Sequence, residues 1–358
     1  MKVVQINAVC GYGSTGRICA EISEYIKNDI ENYILFGNGE SKHFAAKRLN
    51  SDFGVKIHGL LSRLTGKQGY FSIVHTNKII KELEKIKPDI VHLHNMHGNY
   101  IHFNKLLNYL AKKDIATVIT LHDCWFFTGK CTHYTVDKCY KWQTGCYNCP
   151  SLKKDNPSWF FDRTKKMWND KKKHFEAIPR LGVIGTSQWV TDEAKKSFLV
   201  NAKIIKRIYN WIDTKVFNNQ NINIKNNCSI PDNKFLILLI SAFWSEETKK
   251  FKDAIELSKK IDDDMHIIMV GKGMNDFDFP KNMTKITYVG DTEELASIYS
   301  SADVYVHLSY EDTFGKVIAE AMACGTPAIV YDSTGIPELI GENCGYVVPC
   351  GDINAIYK

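Results

Sequence analysis

The chain has 358 residues, 44% hydrophobic and 24% charged, with a formal net charge of +6. That length is generous for one domain and comfortable for two, and the composition is that of an ordinary globular protein. No apolar run approaches the roughly 18–20 residues that span a bilayer, the N-terminus turns polar too early for a secretory signal, and so mild a charge does not by itself argue for nucleic acid; a cytoplasmic location is expected.

In chain order, Lys2–Asn7 reads as a short apolar strand, followed by the turn Gly11-Tyr-Gly-Ser-Thr-Gly16 and a helix near 16–27. A strand at 32–36 comes next, then a helix over 74–87 that ends at Pro88, and a buried strand at 89–94. A helix at 104–113, a β-branched strand at 116–121 and a strand at 182–185 complete this run. The alternation restarts after about residue 205, with strands at 204–208, 235–241, 266–270, 286–289, 304–308 and 327–330, and helices at 251–261, 292–300 and 317–324. Two such runs imply two doubly wound, Rossmann-like α/β domains with parallel sheets, residues 1–205 and 206–358, joined through the polar stretch 210–220.

Ligands of such folds bind beyond the carboxyl ends of the strands. Gly11, Gly13 and Gly16, the histidines from His94 to His97, His122, Gly271 and Gly273, and the loop 312–315 all fall there, which points to a cleft between the domains. The most informative stretch runs from Ser309 to Pro327. It is an acidic loop, a Phe314-Gly315 turn and the start of a small-residue helix carrying a second carboxylate, Glu320, eight positions after Asp312. A helix N-terminus offers N–H groups and a positive dipole end to phosphate, and a carboxylate one turn in can accept hydrogen bonds from a sugar diol.

Several short stretches, in this order, carry a resemblance: Gly13-Ser-Thr-Gly-Arg17, Asp89-Ile-Val-His-Leu-His-Asn95, Thr120-Leu-His-Asp-Cys-Trp125, Asn210-Trp-Ile-Asp213, Val270-Gly-Lys-Gly273 and the segment from Asp312 to Pro327. Over nearly its whole length the chain resembles retaining glycosyltransferases of family 4. These are GT-B fold enzymes whose two Rossmann-like domains face across a cleft, and the nearest in kind build bacterial capsular or exopolysaccharide. The resemblance implies that Asp312, where the family usually has Glu, or Glu311 after a loop shift, meets the donor sugar. It assigns Glu320 to the ribose hydroxyls, and the amides of Gly315, Lys316 and Val317 to the diphosphate. Lys249 stands at the family's Lys position and Lys250 where Gly is usual, while Trp244 occupies the place of the usual Arg. Gly13, Gly16, Gly271 and Gly273 are expected beside the donor. By the same resemblance His122 faces the donor sugar, with Asp123 able to orient it, and His94, Asn95 and His97 lie on the acceptor side, with His92 in the core. Enzymes of this kind are thought to react on one face of the donor, the diphosphate helping to deprotonate the acceptor, so no protein nucleophile and no catalytic cofactor is required.

Two features lie outside that resemblance. Residues 153–174 carry eight Lys or Arg residues interleaved with Trp159, Phe160, Phe161 and Trp168. They form either a segment for an anionic membrane surface or a surface helix whose aromatics pack inward. The turn-rich insertion 128–156, with little apolar content, holds Cys131, Cys139, Cys146 and Cys149. Four cysteines including a C-x-x-C pair suit one structural zinc, with Cys124 or His133 as substitutes for a ligand; free or redox-paired thiols are the alternative.

The expectation is therefore a cytoplasmic glycosyltransferase, either peripheral to the inner face of the membrane or soluble. It would use a UDP- or GDP-linked sugar donor and a glycan acceptor, polyprenyl-diphosphate-linked by expectation, and no nucleic acid. A non-hydrolysing sugar-nucleotide epimerase of the same fold and a non-enzymatic zinc-bearing module are the alternatives. The sequence stops at Lys358, where family members usually continue into further helices, so a truncated C-terminal domain is also expected.

Overall fold

The computed structural model describes all residues except 155, 221, 275, 276 and 288. It divides into two compact units, Met1–Ile208 and Tyr209–Lys358.

The first unit is built on a parallel sheet of β1 (Lys2–Asn7), β2 (Glu31–Phe36), β3 (Ala46–Arg48), β4 (Ile90–Leu93), β5 (Ala116–Leu121), β6 (Leu181–Gly185) and β7 (Ile204–Arg207), in the order β3-β2-β1-β4-β5-β6-β7. Its helices are α1 (Gly13–Ile26), α2 (Asp52–Thr65), α3 (Ile73–Ile86), α4 (Phe103–Lys112), α5 (Thr164–Glu176) and α6 (Gln188–Lys195). Val4 and Ile6 on β1, Val91 and Leu93 on β4 and Ile119 and Leu121 on β5 form the centre of one core. Strands covered on both faces read as continuous apolar runs, which is why these were legible. Helix α4 lays Phe103, Leu106, Leu107 and Leu110 against that core, an i, i+3, i+4, i+7 stripe. Helix α3 stops at Lys87, which takes a left-handed conformation (φ 52°) directly before Pro88.

Helix α2 and strand β3 were not expected from the sequence. Local signals for α2 exist: Ser51 accepts a hydrogen bond from the Gly54 amide, and Gly66 closes the C-terminus at φ 71°. Its outer face, however, carries Phe53, Ile57 and Leu60, all exposed.

The basic segment divides in two. Within α5, Met167, Trp168, Lys171 and Phe175 face inward, whereas Trp159, Phe160 and Phe161 just before it are exposed. Lys171 has no exposed surface. Its ammonium donates to the carbonyls of Trp125 (2.5 Å) and Thr128 (3.0 Å) and lies 3.4 Å from the centre of the Trp125 ring. Burial pushes it down to about 7, against the opposing pull of Cys146 and Asp123. Among the described residues, the insertion before α5 contains one short 3₁₀ turn, Lys141–Gln143. Contrary to the expectation of little apolar content, it buries Tyr134 and Trp142, and the Trp168 indole donates to the Trp142 carbonyl at 2.8 Å.

The second unit has a parallel sheet of β8 (Phe235–Phe243), β9 (Met265–Lys272), β10 (Met283–Ile286), β11 (Val304–His307), β12 (Ala328–Tyr331) and β13 (Gly345–Val348), in the order β10-β9-β8-β11-β12-β13. Helices α7 (Lys249–Ser258), α8 (Thr292–Ser300), α9 (Lys316–Ala323) and α10 (Ile353–Tyr357) accompany it. The strand expected at 286–289 lies earlier, at Met283–Ile286, and residue 288 lies outside the described residues.

Candidate functional site

In each sheet the strand order reverses once, between β1 and β4 in the first and between β8 and β11 in the second. Such reversals splay the connections apart and open a crevice at the carboxyl ends of the strands. Most of the residues singled out in the sequence sit at these two places.

In the first unit, β1 supplies two buried polar residues, Gln5 and Asn7. The Asn7 amide donates to the Val9 carbonyl (2.8 Å), and its oxygen accepts from the Asn95 amide (3.0 Å), so it fixes the loops after β1 and β4 together. Gln5 donates to the Cys19 carbonyl at 3.0 Å. A carbonyl can only accept, so the other side of the Gln5 amide is its oxygen, and this oxygen lies 3.0 Å from Nε2 of His94. His94 therefore carries its proton on Nε2. Its Nδ1, 3.0 Å from Nε2 of His122, is an acceptor, so His122 is protonated at Nε2 and keeps Nδ1 as its accepting nitrogen. This requires neutral rings. Burial supplies that condition: it pushes His122 down to about 4, opposed by Asp123, and holds His94 well below its usual range, helped by the neighbouring His92 and His122. His92 is pushed to about 3 by burial and by His122, and its Nε2 lies 2.7 Å from the Thr120 hydroxyl.

Two expectations change here. His94 is 1% exposed and is an internal link rather than an acceptor-side surface. Asp123, expected to orient His122, gives one carboxylate oxygen to His97 (2.8 Å) and the other to the Trp125 amide (2.7 Å). The Asn95 side chain accepts from the His97 amide at 3.2 Å. Gly16 is buried, and a Cβ there would meet Val9 at 2.9 Å, while Gly13 (φ 63°) faces open space at the start of α1. Gln5 was missed. Its signal was a buried amide that alternates with Asn7 inside the apolar strand Lys2–Asn7.

In the second unit, Lys250 follows β8, His307 ends β11 and Asp312 follows it. The Lys250 ammonium donates to Ser241 at 2.5 Å, and burial holds it below its usual value against the pull of Asp312. His307 is 6% exposed; its Nδ1 is 2.9 Å from the Tyr305 hydroxyl, and its Nε2 lies 3.9 Å from Asp312. Buried Nε2 has no hydrogen-bond partner among the described residues. Burial pushes this ring to about 4, opposed by Asp312 and assisted by Lys250. His307 was also missed, since one histidine at a strand end carries no pattern.

Asp312 accepts from the amides of Phe314 (3.1 Å) and Gly315 (2.9 Å) through a single oxygen. This closes the turn that feeds α9, with Gly315 at φ 80° as its N-cap. The Gly315 amide, expected on a diphosphate, is thus engaged by Asp312 in this structure. Lys316 and Val317 open the first turn of α9, and the Ile318 amide donates to the Gly315 carbonyl at 2.9 Å. Glu320 is 6% exposed on the inner face of α9 and accepts from the Tyr299 hydroxyl at 3.2 Å. Phe314 is buried with its ring 5.9 Å from that of Tyr209. Lys249 lies over the Tyr310 ring at 5.1 Å. Trp244, at the expected Arg position, is buried and donates to the Val270 carbonyl at 2.9 Å. Gly271 and Gly273 allow β9 to approach the end of β8: added Cβ atoms would come within 1.9 Å of the Ser241 carbonyl and 2.2 Å of the Trp244 carbonyl.

Cys131, Cys139, Cys146 and Cys149 line one small cavity in the first unit. As their side chains stand, no group of three Cys, His, Asp or Glu residues among those described is placed to hold a metal ion.

Comparison with known proteins gives two family matches: Glycosyltransferase Family 4 over residues 16–216 and Glycosyl transferases group 1 over residues 234–358. The "putative colanic acid biosynthesis glycosyl transferase WcaC" of Escherichia coli (strain K12) is 24% identical over 97% of this chain and 87% of its own. N-acetyl-alpha-D-glucosaminyl L-malate synthase of Bacillus anthracis is 29% identical, but the match spans 43% of this chain and 42% of that protein. Among solved structures, sucrose-phosphate synthase from Thermosynechococcus elongatus superposes with a TM-score of 0.71 at 16% identity, covering 99% of this chain and 88% of that one. Anabaena Alr3699/HepE, solved with UDP and glucose, gives 0.67 at 14% identity, covering 100% and 88%. The two parallel-sheet units and these neighbours define a GT-B fold.

Proposed function

The chain belongs to glycosyltransferase family 4, and from that premise we propose that it moves a sugar from a UDP- or GDP-linked donor to a hydroxyl of a glycan acceptor, with retention at the anomeric carbon. The observation that carries the reading is the group Lys250, His307 and Asp312 at the strand reversal of the second unit, with a buried His307 nitrogen lacking a partner. A buried polar atom without a partner calls for a water or a ligand. The Asp312 carboxylate 3.9 Å from Nε2 favours the proton on that nitrogen, which leaves Nδ1 to accept from Tyr305; Nε2 can then donate to a sugar hydroxyl or a phosphate oxygen.

The chemistry follows from charge. Departure of a nucleoside diphosphate builds negative charge on the leaving oxygens, which preorganised cations and amides stabilise most effectively when desolvated. Lys250 and the first-turn amides of Lys316 and Val317 supply that field, and Glu320 accepts from the ribose. Asp312 both shapes the turn and keeps one oxygen toward His307. Neutral His122 offers Nδ1 to a sugar hydroxyl, with Asn95 and His97 nearby on the acceptor side. Relatives solved with UDP-glucose support a nucleotide-sugar donor. Family membership favours neither the epimerase nor the non-enzymatic module.

We further propose that the first unit works against an anionic membrane bearing a polyprenyl-diphosphate-linked acceptor. No helix among the described residues is long and apolar enough to cross a membrane. The outer face of α2 nevertheless exposes Phe53, Ile57 and Leu60 beside Lys56 and Arg63, and Trp159 joins it where its amide donates to the Arg63 carbonyl at 2.8 Å. Apolar side chains flanked by cations suit a headgroup layer. Binding to anionic vesicles should fall in Phe53→Asp/Phe160→Asp; unchanged binding refutes this location.

Calorimetric titration with UDP-, GDP- and ADP-sugars tests the donor site. One class should bind, and Lys250→Ala should weaken it by about 10-fold or more, the usual worth of a hydrogen bond to a charged group. Binding equally tight in wild type, Lys250→Ala and Glu320→Ala would remove the assignment. A product of inverted anomeric configuration would refute retention.

A further inference from the structure

We propose that Cys131, Cys139, Cys146 and Cys149 bind one zinc ion that holds the insertion before α5 in shape. The proposal stands on the first unit alone and is independent of the reaction proposed above. Three observations carry it.

The first is convergence. Among the described residues, the segment that carries the four cysteines has the turn Lys141–Gln143 as its one regular element, yet all four line the same cavity. That cavity is about 20 Å³, room for a single water-sized body, and no Asp or Glu lines it. Lys130, Lys141 and aromatic side chains share its wall, and four cysteines with no carboxylate suit one soft-ligand cation better than an oxygen-seeking ion.

The second is the surroundings of the sulfurs. The Gly129 amide donates to Cys146 at 3.2 Å, the Ser151 amide donates to Cys149, and the Cys131 and Cys149 thiols are hydrogen-bonded to each other. The Asp162 carboxylate accepts from the Cys149 amide at 2.8 Å and fixes the backbone on the ligand side. Amides aimed at sulfur stabilise thiolate and are the outer contacts that orient metal ligands.

The third is charge. Four thiolates around a divalent cation leave a net double negative charge, and Lys130 and Lys171 lie within electrostatic reach of Cys149 and Cys146. Both lysines face the deficit from the protein side, and thiolate charge beside Lys171 favours its ammonium form against the burial that lowers it.

The side chains do not yet converge at ligand distance. Zinc–sulfur bonds of about 2.3 Å require the thiols to turn inward about their Cα–Cβ bonds into the cavity that they already line. With four protein ligands no position stays open for water, so the ion is structural and takes no part in transfer.

Metal analysis of the full chain, purified under reducing conditions, tests this. Wild type should hold one zinc per chain, and cobalt substitution should give the absorption of tetrahedral thiolate. Cys139→Ser and Cys149→Ser should lose the metal, while Cys350→Ser, exposed in the second unit, should retain it. If the serine variants fail to fold, Cys139→His decides: it restores a ligand and should hold zinc. Absence of stoichiometric zinc from reconstituted wild type, or wild-type zinc content in the serine variants, would overturn the proposal. So would disulfides among these four cysteines in cells alkylated at lysis.

Discussion

Replacing Gln5 with Leu tests the hydrogen-bonded chain that reaches His122. Leucine matches the volume and offers no polar atom, so the Cys19 carbonyl and Nε2–H of His94 both lose their partner. Gln5 and His94 are 0% and 1% exposed, so water does not replace the loss. Each buried orphan costs about 1–3 kcal/mol, and the pair about 2–6 kcal/mol, a large share of the stability of an ordinary domain. The second effect is chemical. Without an acceptor at Gln5, the His94 proton moves to Nδ1 and donates to Nε2 of His122, which shifts the His122 proton to Nδ1. The accepting nitrogen of His122 becomes a donor, and transfer should fall about 10- to 100-fold, the worth of one well-placed hydrogen bond in the transition state. Gln5→Glu, neutral in so buried a place, can accept from His94 and donate its O–H to the Cys19 carbonyl, so it should preserve the His122 tautomer. Imidazole nitrogen shifts by NMR report the tautomer, and urea unfolding reports the cost. A His122 still protonated at Nε2 in Gln5→Leu would refute the reasoning.

The remaining predictions concern acid, backbone space and the turn at Asp312. His92 and His122 are held at about 3 and 4, and His94 is also depressed, so each is neutral when folded but protonates near 6.5 when unfolded. Their contribution is complete above about pH 6.5 and is lost as pH falls toward 4, at about 1.4 kcal/mol per histidine per pH unit; equal melting temperatures for the first unit at pH near 7 and near 5 would contradict this. Gly271→Ala sets a Cβ against the Ser241 carbonyl at φ 142° and should cost more than about 3 kcal/mol, whereas Gly13→Ala meets open space and should cost about 1 kcal/mol; thermal unfolding ranks the two. Asp312→Asn keeps an oxygen for the Phe314 and Gly315 amides and should fold like wild type, whereas Asp312→Ala loses both bonds and should be less stable by about 1–3 kcal/mol; equal stability of the two variants would remove the turn-forming role.

The alternation of strands and helices was readable because central parallel strands are apolar on both faces and helices such as α4 repeat at i, i+3 and i+4. Helix α2 escaped because its apolar residues do not all face the core, so burial and pattern disagree. The loop before α9 was legible as a phosphate-type turn, but the use of Asp312 to hold the Gly315 amide was not, since it depends on a side-chain rotamer. Gln5 and His307 were hidden for another reason. A polar residue in an apolar strand acquires meaning only through partners 89 residues away, as with Gln5 and His94, or through the absence of one among the described residues.

Lys171 has a consequence for the connectivity of the first unit. Its ammonium joins α5 to carbonyls 46 and 43 residues earlier, at the beginning of the insertion. The insertion is therefore a loop whose two ends are fastened to one another inside the core, independently of the covalent chain between them. A protease that cuts the exposed stretch at Trp159–Phe161 would release no fragment until the protein is denatured.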